Sequence, residues 1–267
     1  MSEEILVNVT PQETRVAVMH LGAVQELHIE RAQCRGLVSN IYMGRVVRVL
    51  PGMQSAFIDV GLERAAFLHV ADIWVERHSE PERPIEQLLH EGQTLMVQVI
   101  KDPIGTKGAR LSTQISFAGR YLVYLPQETH IGVSQKIEGE EEREQLRQKL
   151  QELMPADASG GYIVRTMAET AEDAEIRADV EYLQRLWKRI RERGNCAVPC
   201  LLYQDLDLSL RVLRDFVNSD TSRILVDSRE TYQRMADFAQ NYTHAVLDKL
   251  QHYGADRPLF DLYAIED

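Results

Sequence analysis

Residues 55–69 have the sequence SAFIDVGLERAAFLH, in which two short apolar runs flank a glycine. The runs Ala56–Val60 and Ala65–Val70 have the length and composition of β-strands, and Gly61 marks a turn between them. Three further strand candidates lie nearby in the chain: Ile41–Leu50, Leu95–Lys101 and Arg110–Ser116. Five short strands in one segment favour a small β-barrel. The long polar connection from Ala71 to Glu91 is typical of the crossover between the third and fourth strands of an OB-fold.

The segments on either side of this barrel predict a mixture of strands and helices. Before it, three short apolar runs predict an antiparallel meander with a turn at Gly22-Ala23: Ile5–Thr10, Arg15–Leu21 and Val24–Ile29. After it come strand Tyr121–Leu125, a helix from Glu138, strand Tyr162–Thr166 and an amphipathic helix through Val180 and Ile190. Beyond a linker at Gly194–Pro199, the pattern predicts a strand at 201–203, a helix capped by Asp207, strand Arg223–Val226, a helix capped by Ser228 and a last strand, Pro258–Ile265.

The two ends of the chain together have the element order of a ribonuclease-H-like domain. Removal of residues 36 to about 205 leaves three antiparallel strands followed by helix, strand, helix and strand. The chemistry of that fold needs several carboxylates that converge on a divalent metal. Here the first strand has Asn8 where an acid is expected, and Asp227 stands nearly alone at the end of a later strand. We therefore expect a structural scaffold in this part of the chain rather than a metal site.

The charge balance is acidic overall but uneven along the chain. With 30 basic and 41 acidic residues the net charge is −11, which by itself argues against a nucleic-acid partner. The segment from Gly36 to Leu125, however, has as many basic as acidic residues. The composition therefore allows a weakly basic face on an acidic protein.

Hydropathy and cysteine usage indicate a cytoplasmic protein with no membrane segment. No apolar run approaches the roughly 18 residues that cross a bilayer, and Met1-Ser2-Glu3-Glu4 is not a signal peptide. The three cysteines, Cys34, Cys196 and Cys200, argue against a secreted disulfide scaffold. Because Cys196 and Cys200 lack a second Cys or His pair nearby, two half-buried thiols are favoured over a zinc site.

Two phenylalanines and two cations of the barrel segment are candidate contacts for nucleic acid. Phe57 and Phe67 lie on neighbouring predicted strands, where exposed rings stack on unpaired bases at about 1–3 kcal/mol per base. The alternative is that both rings fill the barrel core. Lys107, in the turn Gly105-Thr106-Lys107-Gly108, and Arg110 after it are expected beside the same face, where they can contact phosphate. An ordinary turn is the alternative, because the segment is too short for a nucleotide-binding P-loop.

A second candidate site lies at the end of the strand Ile163-Val164-Arg165-Thr166. The guanidinium fork of Arg165 can bond two oxygens of a terminal phosphate, and the hydroxyl of Thr166 can donate a third bond. A helix predicted to begin near Glu169 could add its positive end. The alternative is an ordinary surface arginine.

Six separate motifs, taken in order, resemble the ribonuclease E/G family: Asn40-Ile41-Tyr42, Ala56-Phe57-Ile58-Asp59, Lys107-Gly108-Ala109, Gly119-Arg120-Tyr121-Leu122-Val123, Ile137-Glu138-Gly139 and Ile163-Val164-Arg165-Thr166. The likeness runs over essentially the entire chain. It implies an α+β multidomain architecture, in which a ribonuclease-H-like domain (residues 1–35 and 206–267) is interrupted by an S1-type OB-fold barrel (36–117) and an α+β 5′-sensor subdomain (118–205).

The resemblance also implies which residues contact RNA. Phe57, Phe67 and Lys107 would contact RNA in the channel, next to Arg110. A pocket for a 5′-monophosphate would consist of Gly119, Val123, Arg165 and Thr166. Two positions depart from the family pattern, since Met43 stands where the family often has Lys and Gln135-Lys136 stands where two Arg can occur. Both changes weaken the local positive potential.

The activity implied is that of an endoribonuclease that cleaves single-stranded RNA in rRNA and mRNA processing or decay. In the family, the carboxylates that bind Mg²⁺ and the cysteines that bind structural Zn²⁺ come after the stretch resembling Pro258-Leu259-Phe260-Asp261. We therefore expect this chain to contain no catalytic residue, to bind no metal itself and to be inactive alone, within a parent that forms a homodimer or higher oligomer. A stand-alone RNA-binding protein without nuclease activity and a purely structural interaction protein are the alternatives.

Overall fold

A computed structural model of the chain describes residues 3–75, 83–155 and 158–265. Its strands are β1 (Glu3–Val9), β2 (Glu13–His20), β3 (Ala23–Arg31), β4 (Ile41–Leu50), β5 (Ser55–Asp59), β6 (Ala66–His69), β7 (Thr94–Lys101), β8 (Arg110–Ser112), β9 (Phe117–Ala118), β10 (Leu122–Leu125), β11 (Ile131–Val133), β12 (Gly161–Val164), β13 (Cys200–Tyr203), β14 (Thr221–Val226) and β15 (Leu250–His252). Its α-helices are α1 (Ile85–Leu88), α2 (Glu140–Leu153), α3 (Asp173–Arg193), α4 (Leu208–Arg211), α5 (Arg229–Tyr242) and α6 (Leu259–Leu262). Between these elements, the described residues also form short 3₁₀ turns and one π-helical turn, Val212–Phe216.

Strands from both ends of the chain form one mixed sheet in the order β15-β14-β1-β2-β3. Strands β1, β2 and β3 pair antiparallel, which confirms the predicted meander, while β14 runs parallel to both β1 and β15. The turn between β2 and β3 falls at Leu21-Gly22 rather than at Gly22-Ala23, because Gly22 takes the positive φ of +81° and Ala23 already pairs in β3.

Alternation along these strands gives the sheet two apolar faces. One face packs on α4, α5 and the π-helical turn, through buried residues such as Val7, Ile224 and Met235. The other face carries Leu6 and Ala17 and packs on α6. Both faces of the central strands are thus covered, which explains their continuous apolar sequence.

A closed barrel of five strands lies in the middle of the chain. Strand β4 pairs with β5 and β7, β5 pairs with β6, and β8 joins β6 to β7 and so closes the ring. Its core contains Tyr42, Ile58, Leu68 and Val97. Helix α1, in the connection between β6 and β7, adds Ile85 to this core. The ring is consistent with the predicted OB-fold, although residues 76–82 of the long connection lie outside the described residues.

A third sheet, in the order β11-β12-β10-β9, packs against α2 and α3. Helix α2 contributes Leu146, Leu150 and Leu153, which are three and four residues apart and so lie on one face. Helix α3 contributes Val180, Leu183 and Ile190 in the same way. This mixture of strands and helices agrees with the predicted α+β organisation of the segment.

Two further predictions about local structure are wrong. The segment Pro258–Ile265 is not a strand. Pro258 precedes the short helix α6, in which Leu259 and Phe260 both pack against the first sheet. Cys196 and Cys200 are not free thiols, because the turn between them brings their Cα atoms to 6.5 Å and the sulfurs are joined in a disulfide. Cys34 is a free, exposed cysteine.

In the described ranges, no helix combines the length and apolar character that crossing a bilayer requires.

Candidate nucleic-acid interface

Five residues, one on each strand of the closed barrel, form a continuous row that winds around its outer surface. Directly paired residues project to the same side of a sheet. The pairs run from Arg48 to Phe57, from Phe57 to Phe67, from Phe67 to Arg110 and from Arg110 to Lys101. We call this row the aromatic ladder; it has two rings in the middle and cations at both ends.

The two phenylalanine rings lie outside the barrel core. Their sequence neighbours Ala56, Ile58 and Leu68 are fully buried, so alternation turns Phe57 and Phe67 outward, where both are partly exposed. The ring centroids are 6.2 Å apart in an edge-to-face arrangement, and His69 extends the group 6.5 Å from Phe67. The alternative in which both rings fill the core does not describe this structure.

The cations around the rings differ in how freely they could contact a phosphate. The side chains of Arg48 and Lys101 are exposed. Arg110 is paired with Asp72, whose Oδ2 accepts a hydrogen bond from Nε at 2.9 Å and lies 2.8 Å from Nη2 in an ion pair. Part of its charge is therefore neutralised within the protein, so that Arg110 is less available to a phosphate than Arg48 or Lys101.

Lys107 lies apart from the ladder, in a tight turn. Its backbone exchanges hydrogen bonds with Ile104 while its side chain is exposed. The next residue must be glycine, because a Cβ on Gly108 would lie 2.1 Å from the carbonyl oxygen of Ala65. The turn thus sits directly on the strand that begins at Ala66, with Lys107 at its edge.

Sequence reasoning identified the two rings but did not assign Arg48 and Lys101 to a site. Both belong to strands that contain register shifts, one between Val46 and Arg48 and one between Val99 and Lys101. A shift of one position changes which residue faces outward. The signal that could have found them was their charge within otherwise apolar strands.

The second candidate site gathers around Arg165, at the end of β12. Its Nη1 donates to the carbonyl oxygen of Gly119, and its Nη2 donates to Oδ1 of Asp215 at 2.9 Å. Thr166 follows directly and is half-buried, and Val123 pairs with Ile163 on the adjacent strand. The structure therefore brings Gly119 and Arg165 into contact and places Val123 and Thr166 on the neighbouring strand and turn.

The helix expected to supply a positive end to this site begins later than predicted. A 3₁₀ turn, Thr166–Thr170, comes first, and α3 starts at Asp173. The side chain of Glu172 caps that helix and Glu175 completes a capping box. Two carboxylates thus already stand at this helix end and accept hydrogen bonds from two of its N–H groups, which makes it unfavourable for a phosphate.

The buried carboxylate of Asp179, which sequence reasoning missed, organises the loop that contains Gly119. Its oxygens accept hydrogen bonds from the backbone N–H groups of Arg120 at 3.1 Å, and of Tyr121 and Leu122 at 2.9 Å. A Cβ on Gly119 would lie 2.5 Å from both oxygens, so only glycine fits there. Burial raises the pKa of Asp179 to about 6, although the three N–H groups oppose that shift.

A chain of ion pairs connects Arg165 with the segment before β14. Asp215 bridges Arg165 and Arg214, and Arg214 also donates to both oxygens of Asp205. Burial alone would lower the pKa of Arg214, but these pairs hold it above its ordinary value. Burial likewise opposes ionisation of Asp205, yet the hydrogen bonds from Arg214 keep its pKa below the usual range.

The polar residues at the ends of β1 and β14 are bonded to one another. Asp227 accepts hydrogen bonds from Nδ2 of Asn8 at 2.5 Å and from the backbone N–H of Val9 at 2.9 Å, and Arg15 donates to the amide oxygen of Asn8. One carboxylate with an amide and a guanidinium does not suit a divalent cation. Throughout the described ranges, no group of three or more His, Cys, Asp or Glu side chains could hold a metal ion.

Comparison with known proteins gives consistent matches. The family model "Ribonuclease E/G family" matches residues 116–267. Ribonuclease G of Escherichia coli strain K12 is 49% identical over 276 residues, with 100% of this chain and 56% of that protein covered. Ribonuclease G of Haemophilus influenzae is 44% identical, and ribonuclease E of a Nostoc species is 34% identical over 99% of this chain and 38% of its own length. The chain thus spans about half the length of the ribonuclease G relatives it matches.

Proposed function

The chain belongs to the ribonuclease E/G family, and on that premise we propose that it captures single-stranded RNA for an endoribonuclease of the ribonuclease G type. The observation that carries the proposal is the aromatic ladder. Phe57 and Phe67 offer two rings to unpaired bases, while Arg48, paired with Phe57, and Lys101, two strands from Phe67, offer cations to phosphates. Lys107 adds a cation at the rim.

The second element of the proposal is recognition of a 5′-monophosphate by Gly119, Val123, Arg165 and Thr166. Arg165 supports it because, among the residues that the structure describes, two of its N–H groups are bound and three remain for a ligand. Such a site would favour RNA with a phosphorylated 5′ end over RNA with a 5′-hydroxyl, since phosphate is dianionic near neutral pH.

We further propose that the sheet formed by both ends of the chain is ribonuclease-H-like, with boundaries at 1–35 and 206–267 around an S1-type barrel (36–117) and a 5′-sensor subdomain (118–205). The support is the pairing of β1 with β14. The bonded group of Asn8, Arg15 and Asp227 is consistent with a scaffold role for this part, because its polar atoms already satisfy one another.

Hydrolysis is proposed for the parent protein, in the cytoplasm and in a homodimer or higher oligomer, during processing or decay of rRNA and mRNA. We propose that the Mg²⁺ and structural Zn²⁺ of the family are held by residues other than the described ones, because no described group fits a metal. The described residues would therefore bind and position RNA without taking part in the chemical step.

The test compares the affinity of the full-length protein for a single-stranded oligoribonucleotide before and after removal of the rings. We expect Phe57→Ala and Phe67→Ala each to weaken binding by about 1–3 kcal/mol. Leu27→Ala, which removes a 49% exposed apolar side chain from β3, is the matched control and should leave affinity unchanged. Fluorescence anisotropy with a 3′-labelled RNA provides the measurement.

Different results point to different functions. Unchanged affinity in Phe57→Ala and Lys107→Ala variants would indicate a structural interaction protein. Ring-dependent binding without any cleavage by the full-length protein would favour a stand-alone RNA-binding protein. Ring-dependent binding together with cleavage supports the proposal.

A further inference from the structure

The guanidinium of Arg165 is held from two sides by groups that are distant in sequence. Gly119 accepts a hydrogen bond from Nη1 through its carbonyl oxygen, and Asp215 accepts one from Nη2 at 2.9 Å. Asp215 lies in the π-helical turn Val212–Phe216, which packs in the core of the first sheet. A residue of one structural unit therefore orients the phosphate-binding candidate of another.

Asp215 is itself fixed in place. Its second oxygen, Oδ2, accepts hydrogen bonds from Nε of Arg214 at 3.1 Å and from Nη2 at 2.9 Å. The Arg214 side chain is only 9% exposed and is bonded to Asp205 at 2.8 Å on its other side. Asp215 therefore cannot turn away from Arg165 without breaking its ion pair with the buried guanidinium of Arg214.

This network extends to the first strand of the barrel. The backbone N–H of Asp205 donates to Oδ1 of Asn40 at 2.9 Å, and Asn40 directly precedes β4. Because the network contains two arginines and two aspartates, its formal charge is zero. The network thus holds Arg165 in a fixed orientation and adds no net negative charge around it.

The chemistry of the guanidinium explains why a fixed orientation matters. Arginine recognises a phosphate through parallel N–H groups in one plane, so rotation of that plane removes two bonds at once. With Nη1 and Nη2 each giving one hydrogen to the protein, the plane of Arg165 is determined and three N–H groups keep defined directions.

We propose that Asp215 is a positioning residue that determines how strongly the Arg165 pocket prefers a terminal phosphate. This inference rests on the proposed function of that pocket. Asp215 does not touch the phosphate; it holds the group that does. Its loss would leave Arg165 free among several side-chain conformers, and phosphate binding would have to order it again.

The test measures the affinity of the full-length protein for two 3′-labelled RNAs of one sequence, with a 5′-monophosphate or a 5′-hydroxyl. The quantity of interest is the dissociation constant for the 5′-hydroxyl RNA divided by that for the 5′-monophosphate RNA. General damage to the fold raises both constants and leaves this ratio unchanged. We expect Asp215→Ala to lower the preference for the monophosphate about tenfold, the scale of a hydrogen bond to a charged group. In an Arg165→Ala background, Asp215→Ala should lower it no further.

Asp220→Ala is the matched control, since Asp220 is an exposed aspartate five positions along the same segment. It should leave the ratio unchanged. Thermal unfolding of every variant checks that the fold persists. An unchanged or higher ratio in Asp215→Ala, in the presence of a clear loss in Arg165→Ala, would overturn the positioning role alone. Equal weakening of both RNAs by Asp215→Ala would also overturn it. A ratio that does not respond to Arg165→Ala would instead remove the phosphate pocket from the proposed function.

Discussion

Asp179 is a carboxylate buried beneath the loop at residues 119–122, where the backbone N–H groups of three successive residues converge on it. The three hydrogen bonds stabilise the ionised form, but removal of the group from water costs more. The pKa therefore rises from 3.8 to about 6. Stability of the loop is thus linked to pH.

The consequence is a loss of stability as pH rises. The folded state holds the Asp179 proton more tightly than the unfolded state does. The contribution of this proton to the free energy of unfolding is therefore complete below pH 3.8 and is lost as the pH rises through about 6. Between pH 4.5 and pH 7, we expect the free energy of unfolding of the wild type to fall by about 2 kcal/mol relative to Asp179→Asn, which has no carboxyl group to titrate there. Urea unfolding at both pH values measures this difference.

Asp220→Asn serves as the control for a general effect of charge, because Asp220 is exposed. Its difference from the wild type should stay constant over the same range. If the difference in free energy of unfolding between the wild type and Asp179→Asn is also constant over this pH range, burial does not perturb the Asp179 carboxyl.

Single residues also show how far sequence reasoning reaches. The residues alone left open whether Phe57 and Phe67 face outward or fill the core, and only the family resemblance favoured outward rings; the structure turns both outward, whereas their contact with RNA stays a proposal. Asp179 and Asp215 were not found, because an acid within a helical or irregular segment gives no sign of the partner it will meet in space.

At the scale of elements, helix α5 illustrates a boundary that the sequence specifies locally. Ser228 was predicted as its cap, and its Oγ accepts a hydrogen bond from the N–H of Thr231 at 3.2 Å. Asp207 caps α4 in the same way through the N–H of Leu210. Caps of this kind depend only on neighbouring residues, so their prediction succeeds.

The contribution of the α5 cap can be measured directly. We expect Ser228→Ala to lower the free energy of unfolding by about 1 kcal/mol, because an N–H group at the helix start loses its acceptor. Ser219→Ala, in an exposed position of the preceding segment, should change it by less than about 0.5 kcal/mol. Equal effects of the two substitutions in chemical denaturation would argue against a stabilising cap.

The wrong prediction at Pro258–Ile265 has the opposite origin. A short apolar run fits a strand and a helical turn equally well, and length alone did not separate them. The decision came from packing, because Leu259 and Phe260 both find space against the first sheet only when the backbone coils.

At the scale of the whole molecule, the charge distribution is the main physical constraint on RNA binding. The chain has a net charge of −11, yet the aromatic ladder ends in the exposed cations Arg48 and Lys101. Binding through so few cations against an acidic background should be weak and sensitive to salt.

We expect the salt dependence of RNA affinity to report these contacts. For single-stranded RNA, each phosphate contact contributes roughly 0.7 to the slope of log affinity against log salt concentration. Arg48→Ala and Lys101→Ala should therefore each reduce the slope by about 0.7 in filter-binding titrations of the full-length protein. Lys188→Ala, an exposed cation on α3, is the control; an equal reduction there would mean that the cations act through overall charge rather than through the ladder.

The sequence by itself determined the features that depend on near neighbours: the strands of the barrel and the meander, the apolar stripes of α2 and α3, and the caps at Asp207 and Ser228. Only the tertiary structure decided the features that depend on register and on packing between distant segments. The closure of the barrel aligned Arg48 and Lys101 with the rings, and the packing of the π-helical turn brought Asp215 to Arg165. The physical reason is that strand pairing and buried ion pairs are set by contacts far apart in the chain, which no local pattern encodes.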